Sequence, residues 1–249
     1  MELGAQASRL GYRLNWIAQC GSTNDLARQA LFEGADRLWV VTGEQIDGRG
    51  RNGRTWTPKA GNLYASLAVV DPAPVAQAPQ IGFVAALAVH DAASTVCVGG
   101  AFGLKWPNDL LLDRRKVAGI LVEGTQIGGG RLGVVVGFGV NIADHPHGTR
   151  YGATHLALAR SGVTAAQTFA ALSDAMSARL AQWRDDGFAA IREAWLARAV
   201  GLGETIRVSR ESGDIAGRFE GVDGQGRLVL DSGSGVTRVD AGDVFLAGM

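Results

Sequence analysis

The chain has 249 residues, 47% of them hydrophobic, and 24 basic against 24 acidic side chains. This composition describes a core-forming globular protein and excludes a disordered or fibrous one. Zero net charge argues against a general nucleic-acid or anionic-membrane binder, because phosphate affinity rests mainly on Lys/Arg neutralisation.

Cys20 and Cys97 are the only cysteines and lie outside any metal-ligand spacing, so a reduced, cytoplasmic compartment is expected rather than a zinc site or disulfide scaffold. The first sixteen residues lack the apolar run of a signal peptide, and nothing approaches the roughly 20 apolar residues of a spanning helix. Of the 24 basic residues 21 are Arg; the three lysines, Lys59, Lys105 and Lys116, therefore mark positions where a compact ammonium is required.

In chain order, Ser22-Thr23-Asn24-Asp25 before Leu26, Ala27, Ala30 and Leu31 predicts a helix capped by short polar side chains, with Gly34 as its stop. Residues 38–42 and 62–70 read as buried strands. Between them lie roughly twenty residues rich in Gly and Arg without periodicity, and a loop that long in a compact domain is functional or disordered. Residues 79–97 predict a largely buried helix, and Pro107 ends regular pairing after Leu104-Lys105-Trp106. Residues 109–112, 116–123 and 132–142 form a strand meander, turning at Asp113-Arg114-Arg115 and Gly128-Gly129-Gly130. Residues 164–200 show helical spacing with a break at Asp186-Gly187, which predicts two helices. After Gly203, β-branched stretches alternate with turns every eight to ten residues, the pattern of a small antiparallel barrel, and a domain boundary falls near 200–203.

The segment Gly48-Arg49-Gly50-Arg51-Asn52-Gly53-Arg54 combines glycines that let main chain approach a ligand with three guanidiniums, which suits an oxyanion. A solvated basic loop or RGG-like RNA segment is the alternative. It is no Walker A loop, because no Gly-Lys-Ser/Thr follows. Lys116 opens an otherwise apolar strand, eleven residues after Lys105, and either snorkels to solvent or faces an anion. Asn108-Asp109 is a turn or a ligand contact. Gly137-Phe138-Gly139 lacks the third glycine and following helix of a dinucleotide site. His145 and His147 form only a loose pair in a loop, and no Ser/His/Asp signature is present.

Taken together, Ser22-Thr23-Asn24, Gly48 to Trp56, Gly61-Asn62-Leu63-Tyr64, Lys105 to Leu110, Arg115 to Glu123 and Gly137 to Asn141 resemble, in order and separation, the catalytic region of biotin protein ligases. The resemblance implies an α+β fold: a class II synthetase-like catalytic domain with a mixed or antiparallel sheet and helices over residues 1–201, and a C-terminal SH3-like barrel over 202–249. It implies formation of biotinyl-5′-AMP from biotin and ATP, then transfer of biotin to a lysine of a carboxyl carrier domain. Such chemistry needs cations and amides fixed where negative charge develops, and two aligned reactants.

By resemblance, Arg51 and Lys116 are the catalytic cations, touching the biotin carboxylate and the α-phosphate. The biotin set is Ser22, Thr23, Asn24, Gln45, Gly48, Arg49, Arg51, Lys116 and Gly119, with Ser22, Thr23 and Gln45 reading the ureido ring. The nucleotide set is Arg51, Arg54, Trp56, Asn108, Asp109, Lys116 and Asn141, with Trp56 stacked on adenine and Mg²⁺ near Asp109. The chain has Asn52 where family loops often carry Arg, and only 21 residues precede Ser22, too few for the DNA-binding domain of repressor relatives, so no DNA binding is expected. A lipoate or octanoate ligase on a related fold needs no ureido readers. A non-catalytic biotin or nucleotide sensor and an RNA module remain as other classes, the latter opposed by neutral charge and an Arg cluster without interleaved aromatics. Monomer and sheet-edge homodimer fit equally.

Overall fold

A computed structural model describes residues 1–246 except 55, 57, 58, 149–151 and 234. In chain order the elements are α1 (Ala5–Arg9), β1 (Arg13–Cys20), α2 (Thr23–Phe32), β2 (Leu38–Gln45), β3 (Leu63–Val70) and α3 (Ile81–Val96). Next come β4 (Phe102–Lys105), β5 (Asp109–Leu112), β6 (Arg115–Ile127) and β7 (Arg131–Val140). The helices α4 (Leu156–Ala159) and α5 (Ala165–Leu196) lead to β8 (Thr205–Ser209), β9 (Ile215–Val222), β10 (Leu228–Asp231), β11 (Val236–Val239) and β12 (Asp243–Leu246).

Seven strands form one mixed sheet in the order β1-β2-β3-β7-β6-β5-β4, in which only β1 and β2 are parallel. The remaining five form an antiparallel sheet, β11-β10-β9-β8-β12. The architecture is α+β with a small C-terminal β unit, as the sequence leads one to expect.

Strand alternation sorts side chains to the two faces of the large sheet. Trp39, Val41, Leu63, Leu67, Val136, Phe138 and Val140 point to the face covered by α3 and α5, where the Trp39 ring lies 5.5 Å from Phe169 and 5.8 Å from Phe138. Val40, Ala68 and Val135 point the other way and pack under Ala27 and Leu31 of α2. Because α3 is almost entirely apolar, it is buried on nearly every side. The expected break in the long helix is a kink at Gly187, whose φ of 74° is left-handed. The turn at Asp113 and Arg114 uses positive φ at both residues, 50° and 60°.

The short helices α1 and α4 and the strand β1 went unread in the sequence, and one expected cap is made differently. Strand β1 is an edge strand with mostly exposed side chains, so it shows no buried alternation. Ser22 occupies the N-cap position of α2 but its side chain makes no cap bond; Gln45 Oε1 accepts the Thr23 N–H at 2.9 Å instead. The local capping expectation fails because a strand-borne amide from β2 takes the role, leaving Ser22 to line a cavity.

Candidate functional site

That cavity lies on the α2 side of the large sheet, with a volume of about 370 Å³, within the range of small-molecule sites. Glycines dig its floor. Gly119 pairs with Gly139 and Leu121 with Gly137 across β6 and β7, so three of these four positions carry no side chain. A Cβ at Gly137 would collide with Asn24 Oδ1, and one at Gly139 would lie 2.5 Å from the Trp56 ring. The Gly-x-Gly of β7 is therefore spatial clearance on one strand face.

One end of the cavity is a buried polar network. Gln45 Oε1 accepts from both the N–H and the hydroxyl of Thr23, at 2.9 and 3.0 Å. Ser66 Oγ, fully buried on β3, lies 2.7 Å from Thr23 Oγ1 and 2.6 Å from Asn24 Oδ1, and Asn24 Nδ2 donates to Glu123 at 2.6 Å. Two hydroxyl protons serve three oxygen–oxygen contacts, so the Thr23–Ser66 chain can run in either direction and offer a guest a donor or an acceptor. Arg28 bonds both Glu123, at 2.8 Å, and Asp25, at 3.1 Å, closing this end from outside.

The other end is cationic. Asp109 sits 7% exposed with Lys116 Nζ 2.6 Å from one carboxylate oxygen and Lys105 Nζ 3.1 Å from the other. Burial pushes the Asp109 carboxyl up, but the charges of Lys116 and Lys105 outweigh it and hold it at about 2. Lys116 thus faces a buried anion rather than snorkelling away. The two lysines do not sit on paired strands: β5 runs between β4 and β6, and a register shift after Leu110 brings Lys116 round to Asp109. Lys116 Nζ also lies 5.5 Å from the Trp56 ring centroid, a cation–π contact.

The Gly–Arg loop folds over the cavity as a short hairpin, with Trp56 N–H donating to Gly48 O at 2.8 Å and Gly50 N–H to Arg54 O at 2.7 Å. Its arginines are tethered at three places: Arg49 to Asp25, Arg51 to Asn108 Oδ1 at 3.2 Å and Gly242 O at 3.3 Å, and Arg54 to Asp243. Burial lowers the pKa of Arg51, while the Asp25 hydrogen bond raises that of Arg49. Lys105 donates to Val244 O at 3.3 Å, so Asp243 and Val244, at the start of β12, complete the wall. Asn108 Nδ2 donates to Ile120 O at 2.6 Å, and Asn141, 2% exposed, donates to Thr154 O at 3.1 Å.

Residues 16–141 match the biotin/lipoate A/B protein ligase family, and residues 201–247 match the biotin protein ligase C-terminal domain. The biotin--[acetyl-CoA-carboxylase] ligase of Paracoccus denitrificans is 38% identical over 93% of this chain and all of its own length. The chain belongs to the biotin/lipoate A/B protein ligase family. The corresponding ligase of Mycobacterium tuberculosis is 37% identical, covering 94% of this chain and 89% of that protein. Among solved structures, the biotin protein ligase of Aquifex aeolicus in complex with biotin and ATP superposes with a TM-score of 0.81 at 25% identity, over 94% of this chain and 98% of that one.

Of the residues that the family resemblance singles out, Ser22, Thr23, Asn24, Gln45, Arg49, Arg51, Arg54, Trp56, Asn108, Asp109, Lys116, Gly119 and Asn141 all line the one cavity. Gly48 stands behind it, packed so closely that a Cβ would lie 2.5 Å from Gln45 Nε2. The side chain of Asn52 lies outside the described residues. Trp56 packs over Gly119 and Gly139, in the middle of the cavity.

Asp109 does not fit as a magnesium ligand, because each of its oxygens is already held by a lysine ammonium. The other carboxylate lining the cavity, Asp243, is paired with Arg54. Ser66, Glu123, Gly137, Gly139 and residues 242–244 were not read as site residues, although the i, i+2 glycines of β7 were a visible sign. Among the described residues, no helix is long and apolar enough to cross a membrane.

Proposed function

We propose that the chain is an ATP-dependent biotin protein ligase that acts on a carboxyl carrier domain. The observation that carries this reading is the bipolar cavity: a neutral donor/acceptor network at Thr23, Gln45, Ser66 and Asn24 at one end, and Arg51 with the Lys105–Asp109–Lys116 cluster at the other. Biotin has matching poles, a flat ureido ring and a carboxylate, with an apolar body that suits the glycine floor and Trp56. The names of the relatives from Paracoccus and Mycobacterium support the same activity, as does the biotin and ATP complex of the Aquifex protein.

In the first step a biotin carboxylate oxygen attacks the α-phosphorus of ATP, and the bond to pyrophosphate breaks. Both reactants are anionic, so Lys116 and Arg51, at the cationic end, lower the repulsion and stabilise charge on the phosphoryl oxygens. Asp109 fixes the Lys116 ammonium beforehand, so little reorganisation is needed. In the second step the acceptor lysine amine attacks the acyl carbon, AMP leaves, and the amine sheds a proton. The folded Gly–Arg loop excludes water that would otherwise hydrolyse the mixed anhydride.

Arg49, Gly48 and Gly119 shape the biotin side; Arg54, Trp56, Asn108 and Asn141 shape the nucleotide side, with Trp56 against adenine. Any Mg²⁺ would come with the nucleotide, since neither carboxylate of the cavity fits as its ligand. The catalytic domain spans residues 1–201 and an SH3-like barrel 202–249, the latter covering the nucleotide end through residues 242–244. The protein works in the cytoplasm, without DNA or membrane, as a monomer or as a homodimer joined at a sheet edge such as β1.

Purified chain incubated with ATP, Mg²⁺ and a carrier domain, offered biotin or lipoate, tests this. A mass gain on the acceptor lysine of one biotinyl group, biotin less water, is expected; gain with lipoate alone makes it a lipoate-type ligase, and no gain with either makes it a binding protein.

A further inference from the structure

Three of the chain's four histidines converge outside the cavity, on the segments that follow β7. His145 Nδ1 and His155 Nδ1 lie 2.7 Å apart, and one Asp144 carboxylate oxygen and one nitrogen of each ring all fall within 4.8 Å of one another. The His147 ring stands edge-on to His145 at 4.9 Å and is exposed. We propose that Asp144, His145 and His155 form a Zn²⁺ site, with His147 as the adjacent fourth donor.

The donor chemistry selects the ion. Imidazole nitrogens with one carboxylate oxygen suit zinc and its neighbours, whereas magnesium or calcium demands oxygen ligands. Two facing Nδ1 atoms at 2.7 Å share one proton as an N–H···N bond in the metal-free protein, and a cation between them would take both lone pairs in its place. At a Zn–N distance of about 2.0–2.1 Å, tetrahedral nitrogens stand roughly 3.3 Å apart, so the rings need to part by only about 0.6 Å.

The backbone is already fixed around the cluster. Asn62 Oδ1 accepts from the N–H groups of Ile142, Ala143 and Asp144 at 2.8, 3.0 and 3.3 Å, and Asn62 Nδ2 donates to Asp144 O at 2.9 Å. On the other side, Thr154 N–H donates to Lys116 O at 2.9 Å and Leu156 N–H to Asn141 O at 3.1 Å, holding His155 between them. Lys59 is the competitor, 3.1 Å from Asp144, but that pair is half-exposed and screened by water, so a dication can displace it. Since Pro146 and Ala153 line the cavity, the ion would staple two parts of its rim together.

The test uses untagged, metal-stripped full chain and a chromophoric chelator in competition for Zn²⁺, with Co²⁺ absorption to identify the donors. One equivalent of Zn²⁺ and a cobalt spectrum without thiolate charge transfer are expected. His145→Gln and His155→Gln should each weaken binding at least roughly tenfold, while His90→Gln, at the remote histidine, leaves it unchanged. Circular dichroism checks that the variants are folded, and Asp144→Asn serves in place of any that is not. Absence of stoichiometric binding, equal loss in His90→Gln, or a thiolate band from Cys20 or Cys97 overturns the assignment.

Discussion

Replacing Asp109 by Asn removes the one negative charge between two ammonium groups, Lys105 with a side chain only 4% exposed and Lys116 at 28%. The carboxyl is held at about 2 against an ordinary 3.8, which corresponds to about 2 kcal/mol of stability at ~1.4 kcal/mol per pH unit. The substitution loses that and also strands the two cations, so its cost falls in the range of about 3–5 kcal/mol for breaking a buried pair. For a chain of this size each kcal/mol lowers Tm by roughly 2–4 °C, so a fall of about 6–20 °C is expected at pH 7. Because the folded-state value lies below the unfolded one, the contribution is present above about pH 4 and disappears as pH falls toward 2. Melting curves of both proteins from pH 7 to about 2.5 should therefore converge at the acid end. A Tm change under about 2 °C at pH 7, or a gap that stays constant on acidification, would refute the placement of Asp109 as the shared counter-ion.

Lys116→Ala should lower pyrophosphate release with biotin and ATP by about 100-fold or more, the scale of losing one oxyanion donor; near-normal release removes Lys116 from the reaction. Ser66→Ala breaks the hydroxyl chain between Thr23 and Asn24 and should weaken biotin binding about tenfold by calorimetry, leaving ATP binding unaltered. Equal losses for both ligands would mean a general packing defect instead. The exposed tethers of Arg49 and Arg54 are each worth under about 1 kcal/mol, so limited proteolysis between residues 43 and 62 should slow sharply when biotin and ATP are both added. Unchanged cleavage counts against closure around ligands.

The parts of the fold legible in the sequence are those with strong local patterns: α2 before its Gly34 stop, the apolar α3, and the β5–β7 meander with its turns. Strand β1 was hidden because, as an exposed edge, it has little apolar side chain to alternate. Lys116 stood out as a cation opening an apolar strand and Arg51 as part of a glycine–arginine loop, while Ser22–Asn24 read locally as a helix cap and as site residues only through the family resemblance. Asn108, Asp109 and Gln45 were read as site residues too, but who pairs with whom was not. Asp109 reaches Lys116 only through a register shift, Ser66 reads as filler in a strand of small and apolar residues, and Gly242 meets Arg51 from 191 positions away. Likewise His145 and His155 are ten residues apart in irregular segments, where no period links them.

One consequence follows from the way β6 and β7 are laced. The same strands that send Phe138, Val136 and Ile120 into the hydrophobic interior present Gly137, Gly139 and Gly119 to the cavity, where Asn24 and Trp56 pack against them beside the guest. Because neighbours on a strand alternate sides, slipping β7 by a single residue would thrust the Phe138 ring into the guest's place and hollow out the interior at once. The register of β7, pinned by β3 on one side and β6 on the other, therefore guards the pocket and the interior together, and an added residue in the exposed Gly128–Gly130 bend is tolerated only by bulging outward.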